Sequence, residues 1–557
     1  MTRSRTTYAL VFILILAFIL RFWQLDLKLL HHDEAVHSWF CYEFLTRGVW
    51  QYDPSYHGPF LYYVTTGIFA LIGPSDFAAR LLPSLFGFAI IPLVYAIYRI
   101  GYISKNQMLV VALLIAISPD MVYFSRFLRH DIFMLFFTML LLLAILYYFE
   151  RGQTRFAVLA AVAAAGALCC KEEMPVIIII FAIFFAFSVW NGRFILPRKW
   201  KTDLMLFVII IVVFMSMLYS AFFNHVDTLI GQNFSIATQG VHFEAKTTGW
   251  YQAIDHWTDM HNQQRLGGPM YYYIPLFLLY ELPIFILALI GTVQFMTVGL
   301  HPVLFFRKVK NWIRERRYIL PVSDLAAVTL RQMRDGHDVN KKSEEFFRFC
   351  IVWMIGTMVF YAYVGEKVPW LIIAQLLPMC FVATYRLNWQ KTAFALAGCL
   401  FLIVMTWHVA FVPVDINEPI VQVQNSEDMR EVMGLMDNTS LVVIASEHYW
   451  PLPWYYRGDA WNKKIKFYGN ITDIDTITGN DPGVIILHDT ESFPSIPGYS
   501  KKTCKLSYWF PFDDNENRLP EYYLRRDGKM GSINIDVFTP HSVYALAQGN
   551  QTSNESE

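Results

Sequence analysis

The strongest constraint on this chain is a series of apolar blocks about 20 residues long, each able to cross a hydrocarbon core of roughly 30 Å as a helix. About eleven such segments can be drawn, near 8–24, 77–100, 107–120, 130–149, 155–170, 174–190, 204–223, 271–299, 347–364, 368–386 and 391–412. Lipid offers no partner to backbone polar groups, so segments of this kind span as helices. The expected fold class is therefore mostly α, a polytopic transmembrane domain. Composition agrees: 55% of the 557 residues are apolar and only 16% are charged, against about 25% in soluble domains. Net charge is zero, which gives no pull toward nucleic acid. Residues 60–73 are apolar but too short to span, and are expected in the interface. The first block follows Arg3 and Arg5 with no small-residue cleavage site behind it, so it reads as a retained helix.

Orientation follows from the bias of Lys and Arg. With the N-terminus in the cytoplasm, the inside segments hold Arg99, Lys105, Arg151, Arg155, Arg193, Arg198, Lys199, Lys201, the dense basic stretch at 307–348, Arg386 and Lys391. The outside loops hold far fewer. The 307–345 loop is expected to lie on anionic lipid. An odd number of spans leaves the tail, from about 414, outside. That tail is polar, with short β-like runs at 441–445 and 484–487 bounded by turn residues. Two domains are expected: a membrane domain over 1–413 and a small extracytoplasmic α/β domain over 414–557. The aromatic stretches 447–451 and 454–457 read as an interfacial belt. Of the seven cysteines none forms a CxxC pair, most lie in apolar blocks, and pairing of Cys41 with Cys504 is left open.

The charges that could carry chemistry gather at the outer ends of the spans. The first outer loop holds His31, His32, Asp33, Glu34 and His37; the second Asp120, Arg126, Arg129, His130 and Asp131; the third Lys171, Glu172 and Glu173; the fifth Glu366 and Lys367, before Pro369 and Trp370. Ionisable groups beside hydrocarbon are costly and tend to face a cavity or a partner. Asp33 and Glu34 are either a helix cap or carboxylates available as a general base. Asp131 is either a helix-start carboxylate or a second acidic group of a site. Arg129, Lys171 and Lys367 suit a phosphate, the guanidinium most of all, though Lys171 could equally snorkel. Glu172 and Glu366 accompany them. His32 and His37 with Asp33 are candidate metal ligands, but the spacing fits no tight template. No cofactor is implied beyond a possible divalent metal.

Taken in order, these residues resemble a family. A first span followed by Asp33-Glu34, then Ala78-Ala79-Arg80-Leu81-Leu82-Pro83, is similar to the start of the GT-C membrane glycosyltransferases. Dolichyl-phosphate-mannose protein mannosyltransferases and the aminoarabinose transferases of lipid A belong to that group. Ser118-Pro119, Ser125-Arg126 and Asp131 resemble its second outer-loop motif. Cys170-Lys171-Glu172 and Gly365-Glu366-Lys367-Val368-Pro369-Trp370-Leu371 resemble an archaeal and bacterial flippase-associated subfamily. The resemblance covers roughly 1–410. It implies a sugar moved from a polyprenyl-phosphate donor to a hydroxyl of a glycan, lipid or protein acceptor, with inversion. It further implies Asp33 as base, Glu34 and Asp131 in support, and Arg129, Lys171 and Lys367 on the phosphate. Two other classes stay open. One is a transporter or flippase, against which the one-sided charges and the lack of internal repeats argue. The other is a non-catalytic partner of a glycosylation machine.

Overall fold

The computed structural model describes residues 3–48, 50–224, 234–238, 241–245, 255, 256, 258, 259, 262, 267–299, 326–470 and 473–541. The basic loop up to 325 and the end of the tail from 542 lie outside these residues. Six described helices are long and apolar enough to cross a bilayer: Arg5–Phe22, Asp76–Arg99, His130–Arg151, Trp200–Tyr219, Lys341–Tyr363 and Trp389–Phe411. Two further spans are broken. Lys105–Ile117 meets Pro119–Ser125 at a 58° bend, and Tyr273–Tyr280 meets Leu282–Thr297 at 114°. Shorter apolar helices complete the layer at Phe60–Ile72, Thr154–Leu168, Met174–Trp190 and Pro369–Val382. The protein is a multi-pass membrane protein. The spans expected over 107–120 and 271–299 are thus each bent, and proline is the local cause. Pro119 occupies the first turn of its helix after Ser118, whose hydroxyl accepts from the Met121 N–H at 3.2 Å. Pro283 sits just after the break at Glu281, where its ring removes a helix donor. Glu281 seals both breaks to each other, accepting from the Ser118 hydroxyl at 2.5 Å and the Asp120 N–H at 3.1 Å.

Two features of the first outer loop differ from a long irregular connection. Residues His32–Arg47 form a helix. His31 caps it, its Nδ1 accepting from the Asp33 N–H at 3.0 Å, while Glu34 reaches back to the His31 N–H at 2.9 Å. This reciprocal box satisfies donors that a helix start otherwise orphans. The turn His57-Gly58-Pro59 then docks on the end of helix Thr154–Leu168. Gly58 N–H donates to the Cys170 carbonyl at 3.1 Å and Phe60 N–H to the Cys169 carbonyl at 3.0 Å. A Cβ on Gly58 would stand 2.2 Å from the Cys169 oxygen. Gly58→Ala is therefore expected to push this turn off its seat and to cost at least about 1–3 kcal/mol, as overpacking does. A lowered unfolding temperature together with reduced turnover checks it; a variant matching wild type in both would contradict the close approach.

Beyond Phe411 the chain builds a six-stranded mixed sheet in the order Gln424–Asn425, Tyr499–Trp509, Gly531–Pro540, Val484–His488, Val442–Ala445, Ile465–Phe467. The last three strands are parallel and the rest antiparallel. Met429, Val432 and Met436 of helix Asp428–Asp437 cover one face with Val442, Ile444 and Ile486. The sheet domain docks directly on the helical layer. Trp454 Nε1 donates to Asp76 at 2.7 Å, Tyr455 donates to the same carboxylate at 2.8 Å, and Trp454 is fully buried. The expected interfacial belt at 454–457 is thus corrected: Trp454 and Tyr455 seal the sheet domain onto the helical layer, and Tyr456 bonds Met433 and Asp437 within the sheet domain. Glu418 is a second clasp, accepting from Tyr280 at 2.8 Å and Tyr522 at 2.9 Å and pairing with His408 at 3.0 Å and Arg526 at 3.1 Å. All seven cysteines are free and Cys41 does not pair with Cys504.

Candidate active site

The docked sheet domain roofs a cavity of about 480 Å³ whose walls come from several connections at one end of the helical layer. Helix His32–Arg47 supplies His32, Asp33 and His37. The 54–58 turn supplies His57, the start of helix His130–Arg151 supplies Arg129, and the turn before helix Met174–Trp190 supplies Lys171, Glu172 and Glu173. Tyr361 comes from the end of helix Ala326–Tyr363, Glu366 and Trp370 from the connection after it, and Gln422 and Trp450 from the tail beyond Phe411.

A line of alternating charges runs along one wall. The Arg129 guanidinium pairs with the Asp33 carboxylate and lies 3.4 Å from Asp131. Lys171 pairs with Asp131 at 2.8 Å and with Glu173 at 3.1 Å. Arg129 also stacks over the Trp370 ring, 3.7 Å from its centroid, a cation–π contact that fixes its plane. Burial opposes the charge on Asp33, yet Arg129 and the neighbouring histidines outweigh it and hold the carboxyl well below the usual carboxylate range. Glu34 points elsewhere and the nearest charge is a cation. Burial also works against Lys171, but Asp131 and Glu173 hold its ammonium form above the usual range. Burial pushes Glu173 up, with Lys171 opposing. The histidines are driven the other way by burial, His31 to about 4 and His37 to about 3. His31 and His37 are therefore neutral at pH 7. His37 Nδ1 bonds the Tyr62 hydroxyl at 2.8 Å, and His57 Nδ1 bonds Glu172 at 2.9 Å. The second Glu172 oxygen is buried and, among the described residues, has no hydrogen-bond partner.

The cavity brings together Asp33, His32, His37, Arg129, Lys171, Glu172 and Glu366. Asp131 stands behind the wall, between Arg129 and Lys171. Glu34 and Lys367 do not line it. Glu34 is fully buried and bidentate with Arg80 at 2.9 and 2.6 Å, and accepts from the Leu128 N–H at 2.8 Å. Arg80 in turn donates to the carbonyls of Leu25, Lys28 and Leu29. Glu34 therefore joins the first helix, its following loop and helix Asp76–Arg99. Lys367 donates to the carbonyls of Tyr361, Ala362 and Val364, closing the end of helix Ala326–Tyr363. Among the described residues no three His, Cys, Asp or Glu side chains gather at metal-ligating spacing, His32 and His37 included. Cavity residues given no role by the sequence are His57, Tyr361, Trp370, Gln422 and Trp450, together with Glu173, which is named among the clustered charges but assigned nothing. His57 and Glu173 sit beside motifs that were visible; Gln422 and Trp450 reach the site only through the docking of the tail.

Glu34→Gln is expected to leave Arg80 buried without a counter-charge. A stability loss of about 3 kcal/mol follows from breaking such a pair. Thermal unfolding in detergent measures it, with turnover per folded molecule as the control. Normal stability with abolished turnover would return Glu34 to the chemistry.

Residues 56–219 match the family model described as dolichyl-phosphate-mannose-protein mannosyltransferase. No curated protein sequence matches the chain. Among solved structures, ArnT from Cupriavidus metallidurans bound to undecaprenyl phosphate superposes with a TM-score of 0.52 at 13% identity, covering 88% of this chain and 94% of that one. The oligosaccharyltransferase of Archaeoglobus fulgidus in complex with Zn and sulfate gives a TM-score of 0.49 at 14% identity, over 86% and 68%. The Pmt1-Pmt2 complex of S. cerevisiae bound to its sugar donor gives 0.33 at 17%, over 40% and 34%.

Proposed function

We propose that this multi-pass membrane protein, which has the fold of the GT-C glycosyltransferases, transfers a sugar from a polyprenyl-phosphate donor to an acceptor hydroxyl at the outer membrane face. The observation that carries this reading is the Asp33–Arg129 pair on the wall of the roofed cavity. Residues 1–413 form the catalytic membrane domain in this reading, and 414–557 the extracytoplasmic roof. The N-terminus is cytoplasmic, as the Lys and Arg bias places it.

The chemistry needs a base for the acceptor and a counter-charge for the leaving phosphate. The acceptor oxygen attacks the anomeric carbon while the carbon–oxygen bond to phosphate breaks. The hydroxyl proton passes to Asp33, and the bond's electron pair leaves with the polyprenyl phosphate toward Arg129. A single displacement of this kind inverts the anomeric centre. In the unliganded arrangement the two key groups hold each other. A donor phosphate competes with Asp33 for the guanidinium, which suits phosphate geometry bidentately. Donor binding thereby frees the carboxylate and adds negative charge beside it, and both effects raise its affinity for a proton. Lys171, saturated by two carboxylates, and Asp131 hold Arg129 in place. Glu172, one oxygen of which has no partner among the described residues, accepts a hydrogen bond from a substrate hydroxyl, and Glu366 lines the same cavity.

The test is the acidic limb of the pH–rate profile. The kcat/KM limb reports the free enzyme and the kcat limb the donor-bound enzyme. The account places the first below the usual carboxylate range and the second at higher pH. Coincident limbs would remove the exchange of Arg129 from Asp33 to phosphate.

A further inference from the structure

A second, larger cavity, of about 1060 Å³, opens at the opposite ends of the same helices. Helix His130–Arg151 begins at the Arg129–Asp131 wall of the first cavity and ends beside Glu150 in the second. At 1.5 Å per residue the two lie about 30 Å apart, a bilayer's hydrocarbon thickness. Five cations line this second cavity: Arg193, Lys341, Lys342, Arg348 and Arg386. Three carboxylates oppose them, and two of those are committed internally. Glu345 accepts from Ser188 at 2.5 Å and pairs with both Arg193, at 3.2 Å, and Arg348. Glu150 accepts from Tyr102 at 2.9 Å and pairs with Lys342 at 2.5 Å. Among the described residues no carboxylate pairs with Lys341 or Arg386, both exposed on the rim.

The surroundings set the depth of this cavity. Trp190 and Trp389 stand 89% and 77% exposed at the ends of helices Met174–Trp190 and Trp389–Phe411. Exposed tryptophans at helix ends mark the membrane–water interface. The wall between the charges is apolar and aromatic, with Phe194, Ile195, Phe347 and Tyr385. A site with excess positive charge, an apolar wall and interfacial depth matches a phosphate that carries a lipid tail, and basic pockets between spans on the cytoplasmic side take such headgroups.

We propose that the cavity between the ends of helices His130–Arg151, Met174–Trp190 and Ala326–Tyr363, opposite the Asp33 cavity, binds the phosphate headgroup of an anionic membrane lipid through Lys341 and Arg386. This assignment does not depend on the sugar-transfer reading. Its test uses the full chain in nanodiscs of phosphatidylcholine with a minority of phosphatidylglycerol, with lipid retained on release read by native mass spectrometry. Wild type is expected to retain phosphatidylglycerol in preference to phosphatidylcholine. The double variant Lys341→Gln with Arg386→Gln is expected to lose that preference by about 30-fold, taking each interfacial cation at about 1 kcal/mol. Both side chains are exposed, so folding is expected to survive; an unchanged unfolding temperature verifies it. Glu344→Gln removes the remaining carboxylate of the wall and is expected to increase retention, an opposite sign that a general loss of folding cannot produce. Equal retention in all three proteins would overturn the proposal. Inorganic phosphate at millimolar concentration is the second arm. If it binds the wild type in pure phosphatidylcholine nanodiscs while phosphatidylglycerol shows no enrichment, the ligand is a soluble phosphate and the lipid assignment falls.

Discussion

Asp33→Asn is expected to insert and fold as wild type while sugar transfer falls by about 10²-fold or more, the usual scale of a lost general base. Asparagine keeps the shape of the side chain but cannot take the acceptor's proton. Donor affinity is the discriminating readout. Asp33 pairs with Arg129 and, in the proposed reaction, competes there with the donor phosphate, so removing its charge leaves the guanidinium more available. The variant should bind donor as well as wild type or better, with the loss confined to kcat. Isothermal titration with a non-transferable donor analogue, beside single-turnover kinetics, separates the two. A variant that loses binding and turnover together would make Asp33 a structural group; wild-type turnover would end its role as base.

Arg129→Gln is the second large effect, and it moves two quantities at once. In the proposed reaction the donor loses the guanidinium facing its leaving phosphate, worth about 10²–10³-fold by analogy with other preorganised charge stabilisers. Asp33 loses the cation that holds its carboxyl below the usual carboxylate range. Its proton affinity in the free enzyme therefore rises. The base must be unprotonated to act, so the acidic limb of kcat/KM shifts to higher pH and activity at low pH falls most. Arg129→Lys should restore part of the limb, since a point charge remains. It should restore little of the rate, because the planar stack on Trp370 at 3.7 Å and the bidentate fit are lost. A limb that stays in place in Arg129→Gln would contradict the pairing as the cause of the Asp33 shift.

The membrane architecture was legible because hydropathy at the length of a bilayer is a long-range signal that survives local irregularity. The bends at Ser118 and Glu281 were not. Pro119 and Pro283 are visible in the sequence, but how far a helix turns there depends on what the freed groups bind, and Glu281 binds across to the other break. Helix His32–Arg47 was hidden for a related reason. It is buried on several sides by helix Phe60–Ile72 and the roof, so His, Trp, Tyr and Glu follow one another without a single apolar stripe.

The candidate site shows the same division. Gathering four outer-loop clusters at one face required only that charges avoid hydrocarbon. Telling Asp33 from Glu34 required more. Successive side chains on a helix diverge by about 100°, so one of the two faces the cavity and the other Arg80. Which is which depends on where helix Asp76–Arg99 crosses. Lys367 reads as a phosphate ligand from composition, yet its amine satisfies carbonyls at a helix end, a demand of the backbone that sequence does not display. Trp450 and Gln422 could be assigned only once the tail was seen to dock on Asp76 and close the roof.

The central claim is that this protein breaks the bond between a sugar and a lipid phosphate, and it is tested most directly by following the donor itself. The purified chain in liposomes, given synthetic polyprenyl-phosphate sugars outside and an acceptor mixture, should release polyprenyl monophosphate, detected by mass spectrometry. Product should carry the inverted anomeric linkage. Asp33→Asn should release no more than about a hundredth as much in the same time. The account would be contradicted by intact donor that merely crosses the bilayer, which a flippase would give. Consumption of a nucleotide sugar while the lipid donor stays whole would contradict it equally.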